Sequence, residues 1–473
     1  MCGIVGMFGP DIPLNVMPKA MSALKYRGEN GAGITLIQKD GTIFHDKATK
    51  FGPVPALSML TIKVYSQFKD NDKFIASAGH LRYGTSGNLT AKKNVQPLYA
   101  KIGQDEIWLA HNGDTPNFEE MLQELKEYNA ILTTDSDSEF ILHYIAIAGK
   151  EDILEAIKLG LADYRGTYAL IMLIKNGEKT QLIACRDPSG NRPLALGTLN
   201  NGYVVASENR AFEKISAKFI REINPGEIIV INEKGLKSHQ LLDKPVKIKQ
   251  CVFENIYFSF PSSTVFNLPV WKFRELLGKI AAEKYGKFIE NNDVITNPPD
   301  SSNYFADGFC KYRQKPLERA IIRGHEETIR SFTQPNQEEQ ENTVREKFSI
   351  IGEKVKGKRV WVLDDSIVRS ITARKIIRSL RMNGAAWIGF ISSAPPIIGP
   401  CKKGINHNDN LIAAKYLNDK TADIEAIRKE IEADFLAYLT IDDLKDAIKE
   451  FRENPNNFCF GCFEGREPIW EVW

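Results

Sequence analysis

Residues 360–372 read VWVLDDSIVRSIT, a hydrophobic run that ends in two acids and continues into a loop. The apolar part predicts a buried strand, because four to eight apolar residues bounded by polar ones are typical of a sheet interior. Apolar residues then recur at the spacing of one helix face, at Ala373, Ile376, Ile377 and Leu380. A second strand-like run lies at residues 293–295. Alternating strands and helices predict a parallel α/β sheet for this part of the chain.

Residues 1–240 show a different pattern, in which short apolar runs are separated by glycine, asparagine, aspartate and proline. The runs at 33–37, 168–174 and 227–231 predict buried strands. A helical stretch at 136–161 interrupts them. We therefore expect stacked sheets with flanking helices in this half of the chain.

A polar stretch that contains several lysines, residues 238–250, separates the two patterns. At roughly 150 residues per domain, a chain of 473 residues has room for two to four domains. We predict one domain at residues 2–245 and a second at residues 246–473.

The composition excludes several classes of protein. The 62 basic and 60 acidic residues give a net charge of +2, so the charge favours neither a nucleic acid nor a membrane surface as partner. No apolar run approaches the roughly 20 residues of a membrane span, and residues 1–6 lack the basic start of a signal peptide. Seven cysteines, an odd number, argue against a disulfide framework and for reactive or metal-bound thiolates. These features predict a cytoplasmic enzyme.

Cys2 is the first candidate for catalysis, because removal of Met1 would leave it at the N-terminus. A terminal cysteine carries a thiol nucleophile and an α-amine on one residue. The pKa of such an amine, about 7.7–8.0, suits a general base for the neighbouring thiol.

Three downstream segments offer the other groups that such a site needs. Arg82, in the motif HLRYGT that ends at Thr85, suits a substrate carboxylate. Asn112 and Gly113 offer an amide side chain and an unhindered backbone N–H, the two kinds of donor that stabilise a tetrahedral oxyanion. Asp137, in the motif SDSE, offers a carboxylate for a substrate ammonium.

In this order and spacing, the motifs MCGIVG, HLRYGT, HNG and SDSE, together with the Arg27-Gly28 turn, resemble the class II glutamine amidotransferases. The resemblance implies an N-terminal-nucleophile αββα sandwich that releases ammonia from glutamine through a γ-glutamyl thioester. It implies Cys2 as the nucleophile, with Asn112 and Gly113 as the oxyanion hole. The residues that it implies for binding glutamine are Arg82, Thr85 and Asp137.

The acids of the 360–372 segment point to a second site. Two adjacent carboxylates at a strand end, Asp364 and Asp365, suit ribose hydroxyls and a hard divalent cation. The loop that follows, as far as Thr372, offers backbone N–H groups and a helix N-terminus, which suit a phosphate.

This segment resembles the phosphoribosyl pyrophosphate (PRPP) signature of phosphoribosyltransferases, and nearly the whole chain resembles the amidophosphoribosyltransferase family. The resemblance implies that ammonia displaces pyrophosphate from C1 of PRPP, which gives 5-phosphoribosylamine for purine synthesis. It implies Mg²⁺ at Asp364, Asp365 and Ser301, and a loop at Arg330 that closes over PRPP. The residues that it implies for the phosphate are Ser366, Arg369, Ser370 and Thr372. It also implies a homo-oligomer, a dimer or a tetramer, and purine nucleotides as inhibitors.

Four further cysteines form a candidate metal site. Cys459 and Cys462 make a Cys-x-x-Cys pair, which by itself is compatible with half a zinc site or with a redox pair. Together with Cys251 and Cys401 they give four thiolates, a set that suits zinc or an iron–sulfur cluster. The family resemblance favours a [4Fe-4S] cluster over zinc, because some members carry one on cysteines in these contexts.

The chain departs from the family's pattern in its acceptor half. The family's Arg-Gly-Thr-Thr phosphate loop reads RSIT at residues 369–372, which adds a Cβ near the phosphate and removes a hydroxyl. Ser302 stands in place of a glycine, and residues 325–329 contain two glutamates that would repel pyrophosphate. Two alternatives therefore stay open. One is a paralogue with an active glutaminase and an impaired or altered PRPP site, and the other is a non-catalytic regulatory or assembly subunit.

Overall fold

The computed structural model describes residues 1–50, 54–69, 71–84, 91–244, 246–324, 348–401, 403–405 and 410–466. The chain divides into two compact units, with the division between Gln250 and Cys251. The first unit also contains the segment 403–405, which comes from the second half of the sequence.

Two antiparallel sheets form the centre of the first unit. Numbered along the chain, the strands that the structure describes here are β1 (Gly3–Pro13), β2 (Gly31–Ile37), β3 (Ile43–Thr49), β4 (Lys73–Arg82), β5 (Leu98–Ile102), β6 (Asp105–Asp114), β7 (Thr167–Asn176), β8 (Lys179–Arg186), β9 (Ala195–Leu199), β10 (Gly202–Ala206), β11 (Lys218–Glu222), β12 (Glu227–Asn232) and β13 (Gly235–Gln240). One sheet has the order β11-β9-β10-β1-β4-β2-β3, and the other has the order β13-β12-β8-β7-β6-β5.

Helices cover the outer face of each sheet. They are α1 (Val16–Ala23), α2 (Ala56–Gln67), α3 (Phe118–Glu127), α4 (Ser138–Ile147), α5 (Ile153–Asp163) and α6 (Arg210–Glu213). Alternate residues of β1 enter different cores, because successive side chains of a strand point to opposite faces. Ile4 packs with Ile171 of the other sheet, whereas Val5 packs with Met17 and Leu60 of the covering helices. A third core joins α3, α4 and α5 to the second sheet, so the layers run helix, sheet, sheet, helix.

The second unit contains a parallel sheet with the strand order β17-β20-β21-β24, in which all three strand pairs are parallel. From Gln250 onward, the described strands are β14 (Gln250–Cys251), β15 (Thr264–Val265), β16 (Leu268–Pro269), β17 (Val294–Thr296), β18 (Ile321–Arg323), β19 (Phe348–Ile350), β20 (Arg359–Asp364), β21 (Trp387–Ser392), β22 (Leu417–Asn418), β23 (Thr421–Ala422), β24 (Phe435–Tyr438) and β25 (Phe458–Cys459). Its helices are α7 (Val270–Tyr285), α8 (Asn303–Arg313), α9 (Gly352–Val355), α10 (Ile371–Met382), α11 (Ile412–Lys415), α12 (Ile424–Ile431), α13 (Ile441–Glu450) and α14 (Gly461–Glu464).

The predicted helix face of residues 373–380 packs on this sheet. Ile376, Ile377 and Leu380 of α10 are buried against Val360 and Val362 of β20. Burying a side chain of this kind contributes roughly 1.5–3 kcal/mol, so this face helps to hold α10 against the sheet.

The predicted fold class, an αββα sandwich followed by a parallel α/β sheet, is confirmed. The helical stretch predicted at 136–161 is two helices, α4 and α5, separated at Ala148–Asp152. Gly149 in this break has a φ of +60°, a value that favours glycine and ends a helix. Among the described residues, no helix combines the length and the apolar character needed to cross a membrane.

Candidate functional site

Cys2 lies directly before β1, and three strands meet around it. Because β1 pairs with β4 in the register Gly3 to Leu81, Tyr83 comes beside Cys2. The backbone N–H of Tyr83 donates to Cys2 Sγ at 3.5 Å. The backbone N of Cys2 donates to Asn112 Oδ1 at 3.0 Å. The sequence-predicted nucleophile and oxyanion amide, 110 positions apart, are therefore neighbours in the fold.

Asn112 and Gly113 lie near the end of β6, which pairs with β7 in the register Gly113 to Tyr168. The other half of the Asn112 amide, Nδ2, is buried and has no hydrogen-bond partner among the described residues. A buried amide donor without a partner costs roughly 1–3 kcal/mol, which a developing oxyanion would recover. A Cβ at Gly113 would lie 1.8 Å from the carbonyl oxygen of Thr167, so this close approach requires glycine.

Arg82 and Asp137 carry opposite charges, and the charge of Arg82 interacts with both Asp137 and Cys2. Each residue is 5 % exposed. Burial lowers the pKa of Arg82, while the charges of Cys2, Asp137 and Asp135 act in the opposite direction. The Thr115 hydroxyl donates to Asp137 Oδ2 at 3.3 Å. A guanidinium and a carboxylate in this arrangement match the α-carboxylate and α-ammonium of a free amino acid.

The turn that carries Asp137 is fixed by Glu139. Thr133 and Thr134 each donate a backbone N–H and a hydroxyl to the Glu139 carboxylate at 2.7–2.8 Å. Burial raises the pKa of Glu139, but hydrogen bonds from His143, Thr133 and Thr134 lower it to about 2. Glu139 is therefore ionised at neutral pH, and it holds the entry to α4 in place.

Sequence reasoning gave no role to two buried residues behind Cys2, Arg27 and Glu208. Arg27 Nε donates to the carbonyl oxygen of Cys2 at 3.1 Å, and Arg27 also forms a fully buried ion pair with Glu208. The Arg27-Gly28 turn was a visible signal, and a Cβ at Gly28 would lie 2.5 Å from the backbone of Arg82. Glu208 had no signal in the sequence, because only the tertiary fold brings it to Arg27.

The two acids predicted to bind ribose hydroxyls and Mg²⁺ lie at the carboxyl end of β20. Asp364 and Asp365 are 7 % and 5 % exposed. Asp364 Oδ1 accepts the backbone N–H of Asp365 at 2.9 Å, and Asp365 Oδ1 accepts the Ser366 hydroxyl at 2.8 Å. The backbone N–H of Ala394, beyond β21, donates to the Asp365 carbonyl at 2.8 Å. The neighbouring strand end therefore fixes the loop in which both carboxylates lie.

The loop then enters α10 through Ser370, which has a φ of +65°. This left-handed conformation is one that glycine adopts without strain and serine does not. Among the described residues, no side chain caps the first turn of α10, and no acid lies in that turn. The first N–H groups of this helix, with Arg369 and Thr372 beside them in the sequence, suit a phosphate.

Ser302, which replaces a glycine in the family's pattern, is buried, and its hydroxyl donates to the carbonyl of Pro298 at 2.5 Å. The Asn297 side chain donates to the same hydroxyl at 3.2 Å. The Ser302 hydroxyl thus forms its hydrogen bonds within the turn that precedes α8. Ser301 lies in this turn and is half-buried. The predicted residues Thr85 and Arg330, and the glutamates of 325–329, lie outside the described residues.

Backbone hydrogen bonds connect the cysteine-bearing segments of the second unit. Cys251 lies in β14 and Cys459 in β25, and these two strands pair. The N–H groups of Ile398 and Gly399 donate to the carbonyl of Cys462 at 2.9 and 3.0 Å, which brings the segment leading to Cys401 beside the same turn. Among the residues that the structure covers, no group of three or more His, Cys, Asp or Glu side chains is arranged to hold a metal ion.

The chain is similar to known proteins over nearly its whole length. Residues 84–214 match the model of a glutamine amidotransferase domain. The chain is 35 % identical to amidophosphoribosyltransferase 2 of Arabidopsis thaliana, over 99 % of this chain and 79 % of that protein. It is 33 % identical to amidophosphoribosyltransferase of Bacillus subtilis, over 99 % of this chain and 94 % of that protein. The solved structure of the B. subtilis glutamine PRPP amidotransferase complexed with ADP and GMP has a TM-score of 0.84 and covers 99 % of this chain and 97 % of its own.

Proposed function

The chain belongs to the amidophosphoribosyltransferase family, and from this premise we propose how its own residues transfer ammonia from glutamine to PRPP. Enzymes of this type produce 5-phosphoribosylamine, pyrophosphate and glutamate, the first step of purine synthesis. The observation that carries the assignment of residues is the meeting of Cys2 with the Asn112 amide, whose Nδ2 donor has no partner among the described residues. We assign the glutaminase to the first unit and the transferase to the second.

In the glutaminase half, Cys2 attacks the γ-carbonyl carbon of glutamine. Removal of Met1 would turn the Cys2 nitrogen, which lies 3.0 Å from Asn112 Oδ1, into an α-amine that takes the thiol proton. Asn112 Nδ2 and the Gly113 N–H stabilise the oxyanion, and Arg82 and Asp137 hold the amino-acid end of the substrate. Ammonia leaves with the proton from the amine, and water then hydrolyses the thioester to glutamate.

In the transferase half, ammonia attacks C1 of PRPP and pyrophosphate leaves. We propose that Asp364 and Asp365 hold the ribose, and that Ser366, Arg369, Ser370 and Thr372 hold the 5′-phosphate at the N-terminus of α10. The two buried carboxylates, with Ser301, are oxygen donors of the kind that Mg²⁺ prefers. When bound, Mg²⁺ would neutralise negative charge on the pyrophosphate group. We assign Thr85 to glutamine and Arg330 to PRPP from their motifs alone.

A coupled assay tests this function. The enzyme, purified anaerobically, receives glutamine and Mg²⁺ with and without PRPP, and glutamate and pyrophosphate are followed together. We expect pyrophosphate only when both substrates are present. Glutamate without pyrophosphate would favour a paralogue with an impaired or altered PRPP site, and the absence of both products would favour a non-catalytic subunit.

The left-handed Ser370 leads to a prediction about PRPP binding. Ser370→Gly is expected to raise the free energy of unfolding by up to about 1 kcal/mol, because it removes a Cβ from a left-handed residue. It is also expected to lower the KM for PRPP, because the backbone then approaches the phosphate without that Cβ. Steady-state kinetics and urea unfolding measure the two effects.

Ser216→Gly is the matched control, since Ser216 is exposed and has a φ of +56° in the first unit. It should give a comparable gain in stability and leave the KM for PRPP unchanged. An unchanged KM in Ser370→Gly would show that the Ser370 Cβ does not face the phosphate.

We further propose that Cys251, Cys401, Cys459 and Cys462 hold a [4Fe-4S] cluster with a structural role. Four thiolates are a ligand set for such a cluster, and the pairing of β14 with β25 supports the approach of two of them, Cys251 and Cys459. Anaerobically purified protein should contain about four iron atoms per chain, together with inorganic sulfide. Cys462→Ser should lose the iron, whereas Cys310→Ala, at a buried cysteine outside this set, should retain it. One zinc ion per chain and no iron would contradict the cluster and favour a zinc site.

Three expectations about partners and location stay proposals. Purine nucleotides are proposed inhibitors, supported by the ADP and GMP of the B. subtilis complex. The proposal that the chain forms a homo-oligomer, either a dimer or a tetramer, rests on the family resemblance. A cytoplasmic location rests on composition and cysteine content.

A further inference from the structure

A short segment from the second half of the sequence packs on the proposed oxyanion hole. Residues 403–405 belong to the first unit, and Lys403 and Ile405 are 3 % and 4 % exposed. Gly404 between them has a φ of +97°. A Cβ at Gly404 would lie 2.9 Å from the carbonyl oxygen of Gly113 and 3.2 Å from Arg192 Nη2. No side chain larger than hydrogen fits there without a shift of the Gly113 peptide or of the buried arginine.

The backbone of Thr167, at the start of β7, also lies against Gly113. Its carbonyl oxygen would lie 1.8 Å from a Cβ at Gly113, and it is 3.2 Å from Nε2 of the His111 ring. The Thr167 hydroxyl in turn donates to the carbonyl oxygen of Lys403 at 3.4 Å. Gly113 is thus held between β7 and the segment 403–405, and one hydrogen bond joins these two supports.

We propose that Gly404 is a positioning residue for glutamine hydrolysis, which acts by holding the Gly113 carbonyl and, through it, the position of the Gly113 N–H. An oxyanion donor must lie within about 2.7–3.1 Å of the developing charge, so a small displacement of Gly113 weakens the stabilisation of the transition state. The inference rests on the proposed role of Gly113. It implies that the glutaminase site is completed by a residue far beyond Gln250, and that a fragment ending at this boundary lacks one of its supports.

The test compares two glycine substitutions in the full-length enzyme. Gly404→Ala adds a Cβ against Gly113. Gly235→Ala imposes the same backbone strain, with a φ of +101°, but its Cβ would have no atom within 4 Å. Glutamate release from glutamine, which does not require the acceptor reaction, is the first measurement. Formation of 5-phosphoribosylamine with ammonium chloride in place of glutamine is the second.

Gly404→Ala should lower the kcat for glutamate release about tenfold or more, since misplacement by 1 Å can cost 10²-fold. Its ammonia-dependent rate should stay within about twofold of the parent enzyme, and Gly235→Ala should keep both rates. An equal loss of both rates in Gly404→Ala, or no loss of glutamate release, would overturn the proposal.

If Gly404→Ala does not fold, Thr167→Val provides the test, because it removes the hydrogen bond to Lys403 and adds no bulk. Glutamate release at the parental rate in this variant would then count against the proposal. A parent enzyme that releases glutamate but makes no phosphoribosylamine from ammonia would refute the proposed transferase. That result leaves the comparison of glutamate release intact, so the two failures are distinguishable.

Discussion

Cys2→Ala is expected to abolish glutamine-dependent formation of phosphoribosylamine, with a loss of at least about 10³-fold, because it removes the atom that attacks glutamine. The same variant should keep ammonia-dependent activity. Free ammonia enters the reaction after the step that Cys2 performs, and the acids at Asp364 and Asp365 are untouched. Pyrophosphate release with glutamine, and then with ammonium chloride, measures the two activities.

Cys185→Ala controls for the loss of a thiol from the same unit. Cys185 is fully buried, and burial raises its pKa well above the usual range, so it is a core residue and not a nucleophile. This variant should lose some stability but keep both activities. A Cys2→Ala enzyme that still used glutamine at an appreciable rate would contradict the assignment of the nucleophile.

Asp365→Asn is expected to lower phosphoribosylamine formation about 10²-fold or more with either nitrogen donor, because the acceptor step is common to both. Asparagine keeps the shape of the side chain and its bond from Ser366, but removes the negative charge that would hold Mg²⁺ and the ribose. Glutamate release in the absence of PRPP should be unchanged. This pattern is the reverse of the one expected for Cys2→Ala.

Asp293→Asn tests whether such a loss is a folding effect. Asp293 is a buried carboxylate at the opposite end of the same sheet, where it accepts Trp361 Nε1 at 2.8 Å and Arg359 Nε at 3.2 Å. The Asp293→Asn variant should have a lower free energy of unfolding but show no selective loss of phosphoribosylamine formation. If Asp365→Asn and Asp293→Asn have equal effects on turnover, the proposed role of Asp365 is wrong.

The sequence was most informative where a local pattern of apolar residues is compatible with a single kind of secondary structure. The run at 359–364 is a buried strand, the residues from 371 onward form a helix, and the parallel α/β sheet of the second half follows from their alternation. The motifs around Cys2, Arg82, Asn112 and Asp137 likewise named four groups that the fold brings together. The chemistry of each side chain suggested its role, and the order and spacing of the motifs along the chain carried the resemblance to the family.

The supports behind these groups could not be predicted, because they depend on long-range packing. Glu208 is paired with Arg27 only because the strand before it, β10, lies next to β1 in the sheet. The break between α4 and α5 depends on Gly149, one small residue inside an otherwise helical pattern.

The sequence by itself predicted the fold class, which the structure confirms, and it proposed the nucleophile and the two acids for PRPP, because these depend on pattern and on residue type. Only the tertiary structure decided that Gly404 packs on Gly113, that the Ser370 backbone is left-handed, and that the hydroxyl of Ser302 is used within its own turn. These features are set by contacts between segments remote in sequence, by backbone angles or by the geometry of a turn, and residue identity alone specifies none of them.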